Sequence, residues 1–260
     1  MKKYWLVIKL AAKDLFQYRF DFFLHTVKYS LMVLMMSVVW LQVEREGNVG
    51  LLSSQETISY FLMSAMLYTL SNFHPVYIEE DIRLGYLSKF LVKPMSPTIY
   101  YFCFEFSRVF IETLIKIVVF LSILFALHLL PNLTWFQIAV LLLYSPLVYT
   151  FAFEWLTLIS LLAFWITEAY AVRWAVTIFT RLLSGVLVPL VYFPAAVQTL
   201  LFFLPFQHLA FSPIQFMLGK TSLFTLGLGT LVLLFWTLVL GIFRQLVWKF
   251  GLNNYEGTGI

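Results

Sequence analysis

Long apolar stretches, separated by short polar segments, run through almost the whole of this 260-residue chain. A helix needs ~20 mostly apolar residues to cross a bilayer. We predict six such spans. They cover residues 22–43, residues 57–77, a longer third stretch that ends near residue 130, and residues 134–167, 174–192 and 222–243.

The overall composition agrees with this pattern. Hydrophobic residues make up 62% of the chain and charged residues 12%, and the mean hydropathy is +0.89. A soluble domain carries about 25% charged residues. We therefore expect an all-α integral membrane protein with a single transmembrane domain. The one cysteine, Cys103, excludes an internal disulfide.

The N-terminal residues 1–20 have the pattern of an amphipathic helix lying on the inner membrane surface. Apolar residues recur at helical spacing on one side and bases on another, so the bases would face anionic headgroups. The apolar positions are Trp5, Ile8, Ala12 and Leu15, and the basic ones are Lys2, Lys9 and Lys13.

No charged residue occurs between Arg181 and Lys220, a stretch too long for one span. Prolines break continuous helices, and this stretch contains Pro189, Pro194, Pro205 and Pro213. We predict that the fifth span ends near residue 192. Residues 194–219 would then form a re-entrant hairpin of two short helices that dips into the outer leaflet without crossing.

Lysine and arginine concentrate on the cytoplasmic side of membrane proteins, and their distribution supports six spans with both termini inside. If residues 195–218 crossed the membrane, the chain would have seven spans and its basic C-terminal end would lie outside, so seven spans is the alternative. The predicted outer loops carry Arg45 and Lys220, whereas the inner segments carry Lys2, Lys3, Lys9, Lys13, Arg19, Arg83, Lys89, Lys93, Arg173, Arg244 and Lys249.

The charged segment, residues 79–97, has the sequence EEDIRLGYLSKFLVKPMSP. Acids open it and bases close it, an order that complements a helix dipole, so we predict a short helix over residues 78–94. Gly85 in a helix interior would cost about 1 kcal/mol relative to Ala, which indicates that another surface approaches the backbone closely. The alternative is a solvated inner loop.

Four charged residues punctuate the first half of the third span: Glu105, Arg108, Glu112 and Lys116. Their spacing places them on one helix face with alternating sign, so neighbours can attract. A lone charge in lipid costs about 2.5–3.5 kcal/mol on insertion scales. We favour a ladder that faces an inner vestibule or the first span, with Lys28 as a companion, over a solvated cytoplasmic stripe.

The chain has no H-E-x-x-H zinc motif, no G-x-S-x-G motif and no phosphate loop of the G-x-x-x-x-G-K-[ST] type. It therefore cannot hydrolyse ATP in the usual P-loop way, and we expect no metal site. Glu79, Glu80 and Arg83 form E-E-x-x-R, one residue shorter than the motif of CAAX-type intramembrane proteases. With His74 they leave a membrane-embedded protease or lipid-modifying enzyme as one alternative; a passive channel or scaffold is another.

The charged segment resembles the inner coupling segment of ABC-2 type transporter permeases. The matching positions are Glu80, Ile82, Arg83, Gly85, Leu91, Lys93 and Pro94. Residues 184–220 resemble that family's fifth span and outer hairpin, with Ser184, Gly185, Pro189, Pro194 and Pro205 at the expected places. The tail FGLNNYEGTGI resembles the short tyrosine-containing tail of one branch of these permeases.

The resemblance implies a mechanism and partners. Two permease chains, the same or different, would form the pathway, and two ATPase subunits carrying ATP and Mg would dock beneath it. This chain would bind no cofactor and no nucleic acid, and would act as an exporter in a prokaryotic plasma membrane. The ATPase-coupling residues would be Glu79, Glu80, Asp81, Ile82, Arg83, Gly85, Tyr86, Lys89 and Lys93.

Aromatic residues make up 19% of the chain, including 28 phenylalanines. This content slightly favours a lipophilic or amphipathic cargo, such as a drug, peptide or lipid, over a polysaccharide carrier.

Overall fold

The computed structural model describes residues 2–17, 19–47, 52–71, 76–92, 95–129, 133–167 and 169–255. These residues form α-helices and short 3-10 turns and contain no strand, which confirms the all-α prediction. The α-helices are α1 (Lys2–Gln17), α2 (Arg19–Gly47), α3 (Ser54–Tyr68), α4 (Val76–Arg83), α5 (Ser88–Leu91), α6 (Pro97–Ala126), α7 (Trp135–Ser160), α8 (Ala169–Leu183), α9 (Ala195–Phe203), α10 (Phe211–Met217) and α11 (Leu223–Asn253). The 3-10 helices are Thr69–Ser71, Leu161–Phe164, Leu190–Tyr192 and Phe206–Leu209.

Polar residues fix the start of several apolar helices. Ser53 and Glu56 form a reciprocal capping box at the start of α3, and Thr134 and Gln137 do the same for α7. Ser222 caps α11 by accepting from the backbone N–H of Thr225. Each cap satisfies backbone donors that the first helical turn leaves open.

Four helices of the described chain are long and apolar enough to cross a membrane: residues Thr26–Val43 of α2, α6, residues Trp135–Phe164 around α7, and α11. They correspond to the first, third, fourth and sixth predicted spans. Helices α3 and α8 have 15 residues each. At 1.5 Å per residue each is about 22 Å long, less than the ~30 Å hydrocarbon core, so the six-span count stays a prediction.

The fifth predicted span is not a continuous helix over residues 174–192. Helix α8 ends at Leu183, and the chain then turns through Gly185, whose φ is 85°. This left-handed conformation is open to glycine because it has no Cβ. A separate 3-10 turn, Leu190–Tyr192, follows.

Helix α3 lies at the centre of the fold, and ten of its 15 residues are buried. Its side chains pack against α2, α6 and α10 in one apolar cluster that includes Tyr60, Met63 and Phe120. A second cluster joins α7 to α11 through residues such as Phe151 and Leu233. A third supports the charged segment and is described below.

Helix α1 packs along α6, and its position on a membrane surface stays a prediction. Its buried residues are Val7, Ala11 and Leu15, whereas Trp5 is 58% exposed. The hydroxyl of Ser107 donates to the carbonyl of Ile8 at 2.9 Å. The buried stripe is the side of α1 that contacts α6. The predicted bases, Lys2, Lys9 and Lys13, are exposed.

Residues 194–219 contain α9, the 3-10 helix Phe206–Leu209 and α10. The prediction of short helices there is confirmed, and the depth at which they lie in a bilayer stays a prediction. Pro189, Pro194 and Pro205 each stand immediately before a helical segment. A proline in that place costs no helical hydrogen bond, which explains how the stretch accommodates three of them.

Candidate functional site

The charged segment folds into two short helices joined by a turn. Helix α4 ends at Arg83, Gly85 has a φ of 75°, and α5 begins at Ser88. The backbone N–H of Leu87 reaches back to the carbonyl of Asp81 at 2.8 Å. The predicted single helix over residues 78–94 is therefore wrong. Gly85 ends α4 by adopting a left-handed conformation, as glycines at helix C-termini commonly do.

The inner side of this segment is apolar and packs on the rest of the protein. Ile78, Ile82, Leu87 and Phe90 are buried in one cluster with residues of α6, α7 and the 3-10 turn at 161–164. Ile82, Tyr86 and Phe90 recur at a helical spacing of four residues. Tyr86 is nevertheless 57% exposed, because the turn at Gly85 interrupts the helical period. Lys93 and Pro94 lie outside the described residues.

Two of the three acids that open the segment are engaged inside the protein. Arg173 Nε on α8 donates to Glu79 Oε2 at 3.1 Å, and both side chains are less than a tenth exposed. Lys89 Nζ lies 2.7 Å from Asp81 Oδ1, while the Tyr101 hydroxyl donates to Asp81 Oδ2 at 2.6 Å. Glu79 and Asp81 therefore hold the segment in place.

The remaining side chains of the segment form an exposed surface, which we call the segment face. It combines apolar groups, an acid and a base: Glu80, Leu84, Tyr86, Lys89 and Val92 are all exposed, Val92 by 83%. Arg83 at its edge is half-buried. Exposed apolar groups rimmed by charge are typical of a protein contact surface.

The C-terminal tail reaches the charged segment. The backbone N–H of Ser88 donates to the hydroxyl of Tyr255 at 3.0 Å. The Tyr255 ring packs edge-on against Phe164, with centroids 6.2 Å apart. The sequence singled out the tyrosine-containing tail, but no pattern along the chain indicated Ser88 as its partner.

The charged ladder of α6 is largely buried. Glu105 is 4% exposed and Lys116 1%, so a solvated stripe is wrong for these two residues. Lys116 Nζ lies 3.4 Å from Glu112 Oε2, and Arg108 donates to the hydroxyl of Tyr77 at 2.8 Å.

The predicted companion of the ladder, Lys28, is placed elsewhere. It lies on the exposed side of α2, in a groove of about 620 Å³ that Leu31 and Met35 also line. Among the described side chains, no ion pair joins Lys28 to the ladder.

A second ion pair in the apolar region was not predicted from the sequence. Glu154 on α7 binds Arg244 on α11, and both side chains are mostly buried. Arg244 also donates to Thr98 on α6 at 3.4 Å. The pair therefore joins three long helices. Its only sequence signal is an acid in the fourth apolar stretch and a base at the end of the sixth.

The turn after α8 is fixed from two sides. Tyr60 on α3 donates to the Gly185 carbonyl at 2.8 Å, and a Cβ at Gly185 would lie 2.7 Å from that hydroxyl. Trp40 on α2 donates to the Leu187 carbonyl at 3.1 Å and stacks on Tyr192 at 4.8 Å. These contacts position the chain that leads through Pro189 into the hairpin.

The hairpin is closed by a buried histidine. His208 Nε2 lies 2.9 Å from the Phe202 carbonyl, and Nδ1 lies 2.9 Å from the Ser212 hydroxyl. Because a carbonyl can only accept, Nε2 carries the proton and Nδ1 accepts from Ser212. His208 is thus a hydrogen-bonded structural residue.

The geometry gives no support to the enzyme alternative. Glu79 is paired with Arg173 in the interior, whereas Glu80 is exposed on the segment face. His74 lies outside the described residues. Within the described ranges, no group of three His, Cys, Asp or Glu side chains could hold a metal ion.

Comparison with known proteins gives a family for this chain. A search of curated proteins found no match. A family model described as "ABC-2 family transporter protein" matches residues 23–259, which include the charged segment, the ladder, the hairpin and Tyr255. The match covers most of the 260 residues. The chain therefore belongs to the ABC-2 family of transporter proteins, as a multi-pass membrane component of that transport system.

Proposed function

We propose that this chain is the permease subunit of an ATP-driven exporter and that its charged segment docks on a separate ATPase subunit. The observation that carries the proposal is the segment face. Glu80, Leu84, Tyr86, Lys89 and Val92 are exposed, while the residues behind them are fixed by a buried apolar cluster. A surface that must transmit force needs such a rigid support.

The ion pairs behind the segment face suggest where that force goes. Glu79 connects α4 to α8 through Arg173. Asp81 connects it to α6 through Tyr101, and to α5 through Lys89. A displacement of the segment by a closing ATPase would therefore reach α6 and α8 directly. The predicted coupling role thus divides into exposed contact residues, led by Glu80 and Tyr86, and buried supporting residues.

The family to which the chain belongs generally works with ABC ATPase partners. In the assembly that we propose, two permease chains, identical or different, span the membrane above two ATPase subunits. ATP and Mg bind to the ATPase subunits. The proposed cargo is lipophilic or amphipathic, in keeping with the aromatic content of the chain, and moves outward.

The test of docking is copurification from the native membrane followed by charge reversal. We expect an ATPase subunit at near-equal amount, and no ATP hydrolysis by the permease chain alone. Glu80→Lys should weaken ATPase binding, whereas Lys9→Glu, a reversal at an exposed position on α1, should not. Equal ATPase binding by both variants, or strong ATPase activity from the isolated chain, would refute the proposal.

The proposed topology has both termini in the cytoplasm and the hairpin outside. Thr199 on α9 is exposed and suits a labelling test. In a Cys103→Ser background, Thr199→Cys should react with an impermeant thiol reagent from the outside or be protected from both sides. Labelling from the cytoplasm alone would instead support seven spans.

A further inference from the structure

Tyr255 has a position that neither the family nor the proposed docking accounts for. It follows the end of α11, and its hydroxyl meets the backbone of the charged segment at Ser88. The same Ser88 N–H lies 3.4 Å from the Gly85 carbonyl, a longer contact than the 3.0 Å to Tyr255. The tail residue therefore supplies the better acceptor at the first residue of α5.

Aromatic packing joins Tyr255 to the end of α11. Phe164 packs against Tyr255 on one side and against Trp248 of α11 on another, with ring centroids 6.2 Å and 6.0 Å apart. Gly251 faces the same phenylalanine so closely that a Cβ there would lie 2.2 Å from its ring. The end of α11, Phe164 and Tyr255 therefore form one packed unit.

This unit lies directly behind the segment face. Tyr255 packs against the apolar cluster that contains Ile82, Leu87 and Phe90, all of which are buried. Ser88 and Lys89 themselves are exposed. Tyr255 thus contacts the backbone of the segment and the buried cluster behind it.

We propose that Tyr255 is a positioning residue that fastens α5 to α11, so that a movement of the charged segment is passed to the last membrane helix. This inference rests on the proposed docking of an ATPase. Glu79 and Asp81 already tie the segment to α8 and α6. The sixth predicted span, α11, already packs on the cluster behind the segment through Trp248 and Leu252, and Tyr255 adds a hydrogen bond to this contact. Helix α11 begins at its other end, next to Ser222.

The fastening is tested on the chain in lipid nanodiscs by hydrogen–deuterium exchange. Loss of one hydrogen bond in Tyr255→Phe should raise exchange at the Ser88 amide by about 2- to 13-fold. The matched control is Tyr192→Phe, which also removes one hydroxyl and keeps the ring that stacks on Trp40, and it should leave the Ser88 amide unchanged. Equal exchange in the parent and in Tyr255→Phe would overturn the inference.

The transmission is tested on the complex with the copurified ATPase. The outer start of α11 is reported by Phe224→Cys, at a side chain that is 75% exposed, in a Cys103→Ser background. We expect ATP with Mg to change the thiol-labelling rate at this position. Tyr255→Phe should reduce that change at least about 2-fold, and Tyr255→Ala should reduce it further, with ATPase binding retained in both.

The outcomes separate the two proposals. A parent chain that binds no ATPase refutes the docking and the transmission together. A parent that binds the ATPase and responds to nucleotide, with both Tyr255 variants responding equally, overturns the role of Tyr255 alone. A rise in Ser88 exchange without any loss of the nucleotide response would also overturn it, because Tyr255 would then be a local contact only.

Discussion

Arg173 of α8 and Glu79 of α4 form a buried ion pair, with Nε and Oε2 3.1 Å apart and each side chain less than a tenth exposed. The guanidinium of Arg173 also lies over the Tyr170 ring, 5.0 Å from its centroid. The pair joins the charged segment to a helix that is 94 residues away in sequence. The contribution of this pair to the stability of the protein can be measured by substituting one or both residues.

Removing one partner of this pair should be more harmful than removing both. A buried charge left alone typically costs about 3–5 kcal/mol, whereas a hydrophobic pair of similar volume can be nearly neutral. We therefore expect Glu79→Leu to destabilise the protein strongly and Glu79→Leu/Arg173→Leu to recover most of the loss. Thermal unfolding in detergent measures the difference. Additive effects of the two single substitutions would show that the residues do not interact.

Gly85→Ala should impair coupling to the ATPase as well as stability. A left-handed conformation costs a residue with a Cβ about 1–2 kcal/mol, and Gly85 has a φ of 75°. The matched control is Gly219→Ala, where φ is 70° and a Cβ would meet nothing within 4 Å. Both variants should lose similar stability, but only Gly85→Ala should lower the nucleotide-stimulated activity of the complex. Equal activity in both would indicate that the turn does not shape the docking surface.

In the ladder on α6, we expect swapping the charges of Glu112 and Lys116 to preserve expression and stability, and swapping those of Arg108 and Glu112 not to. Lys116→Glu places a third acid on a face that already has Glu105 and Glu112, and should reduce expression sharply. Adding Glu112→Lys restores the pair and should recover about 0.5–3 kcal/mol of coupling energy. Arg108→Glu should not be rescued by Glu112→Arg, because Arg108 binds Tyr77 while Glu112 binds Lys116. Expression level and thermal stability of the parent, the four single variants and the two double variants provide the measurement, and rescue in both cycles would contradict the prediction.

Two glycines of α11 should differ in their tolerance of alanine. A Cβ at Gly229 would lie 2.5 Å from His208 Nδ1, whereas one at Gly227 would meet nothing within 4 Å. Gly229→Ala should destabilise the protein by about 1–3 kcal/mol through overpacking. Gly227→Ala should be neutral or stabilise by up to about 1 kcal/mol, the usual gain in helix propensity. The unfolding temperatures of the two variants test this prediction. A higher unfolding temperature for Gly229→Ala than for Gly227→Ala would show that the hairpin does not pack on α11 at His208.

The sequence predicted most of the helices because their signals are local. Apolar stretches of spanning length identified α2, α6, α7 and α11, and prolines identified the breaks around the hairpin. The turn at Gly85 was missed because the flanking apolar period continues across it, and a glycine alone does not state whether it lies inside a helix or ends one. The early end of α8 was missed in the same way, because the apolar stretch continues past the turn at Gly185.

The partners of the charged groups depended on tertiary contacts and could not be read from spacing. Glu79 and Arg173, Glu154 and Arg244, and Ser88 and Tyr255 are each separated by 90 residues or more. Spacing along one helix correctly placed Glu112 beside Lys116. It could not show that Arg108 would donate a hydrogen bond to the hydroxyl of Tyr77, which lies on a different helix.

The pair of Glu154 and Arg244 has a consequence for how the chain is made. Helix α7 is synthesised before α11, so the carboxylate of Glu154 enters the membrane while its partner has not yet left the ribosome. Until α11 arrives, the nascent chain holds an acid in lipid that only protonation or a water defect can accommodate. We expect a chain truncated after residue 222 to be degraded rapidly and Glu154→Gln to extend its lifetime in a pulse–chase experiment; equal lifetimes would count against this. Arg244 would then serve as a signal, read during biogenesis, that the last helix has been inserted.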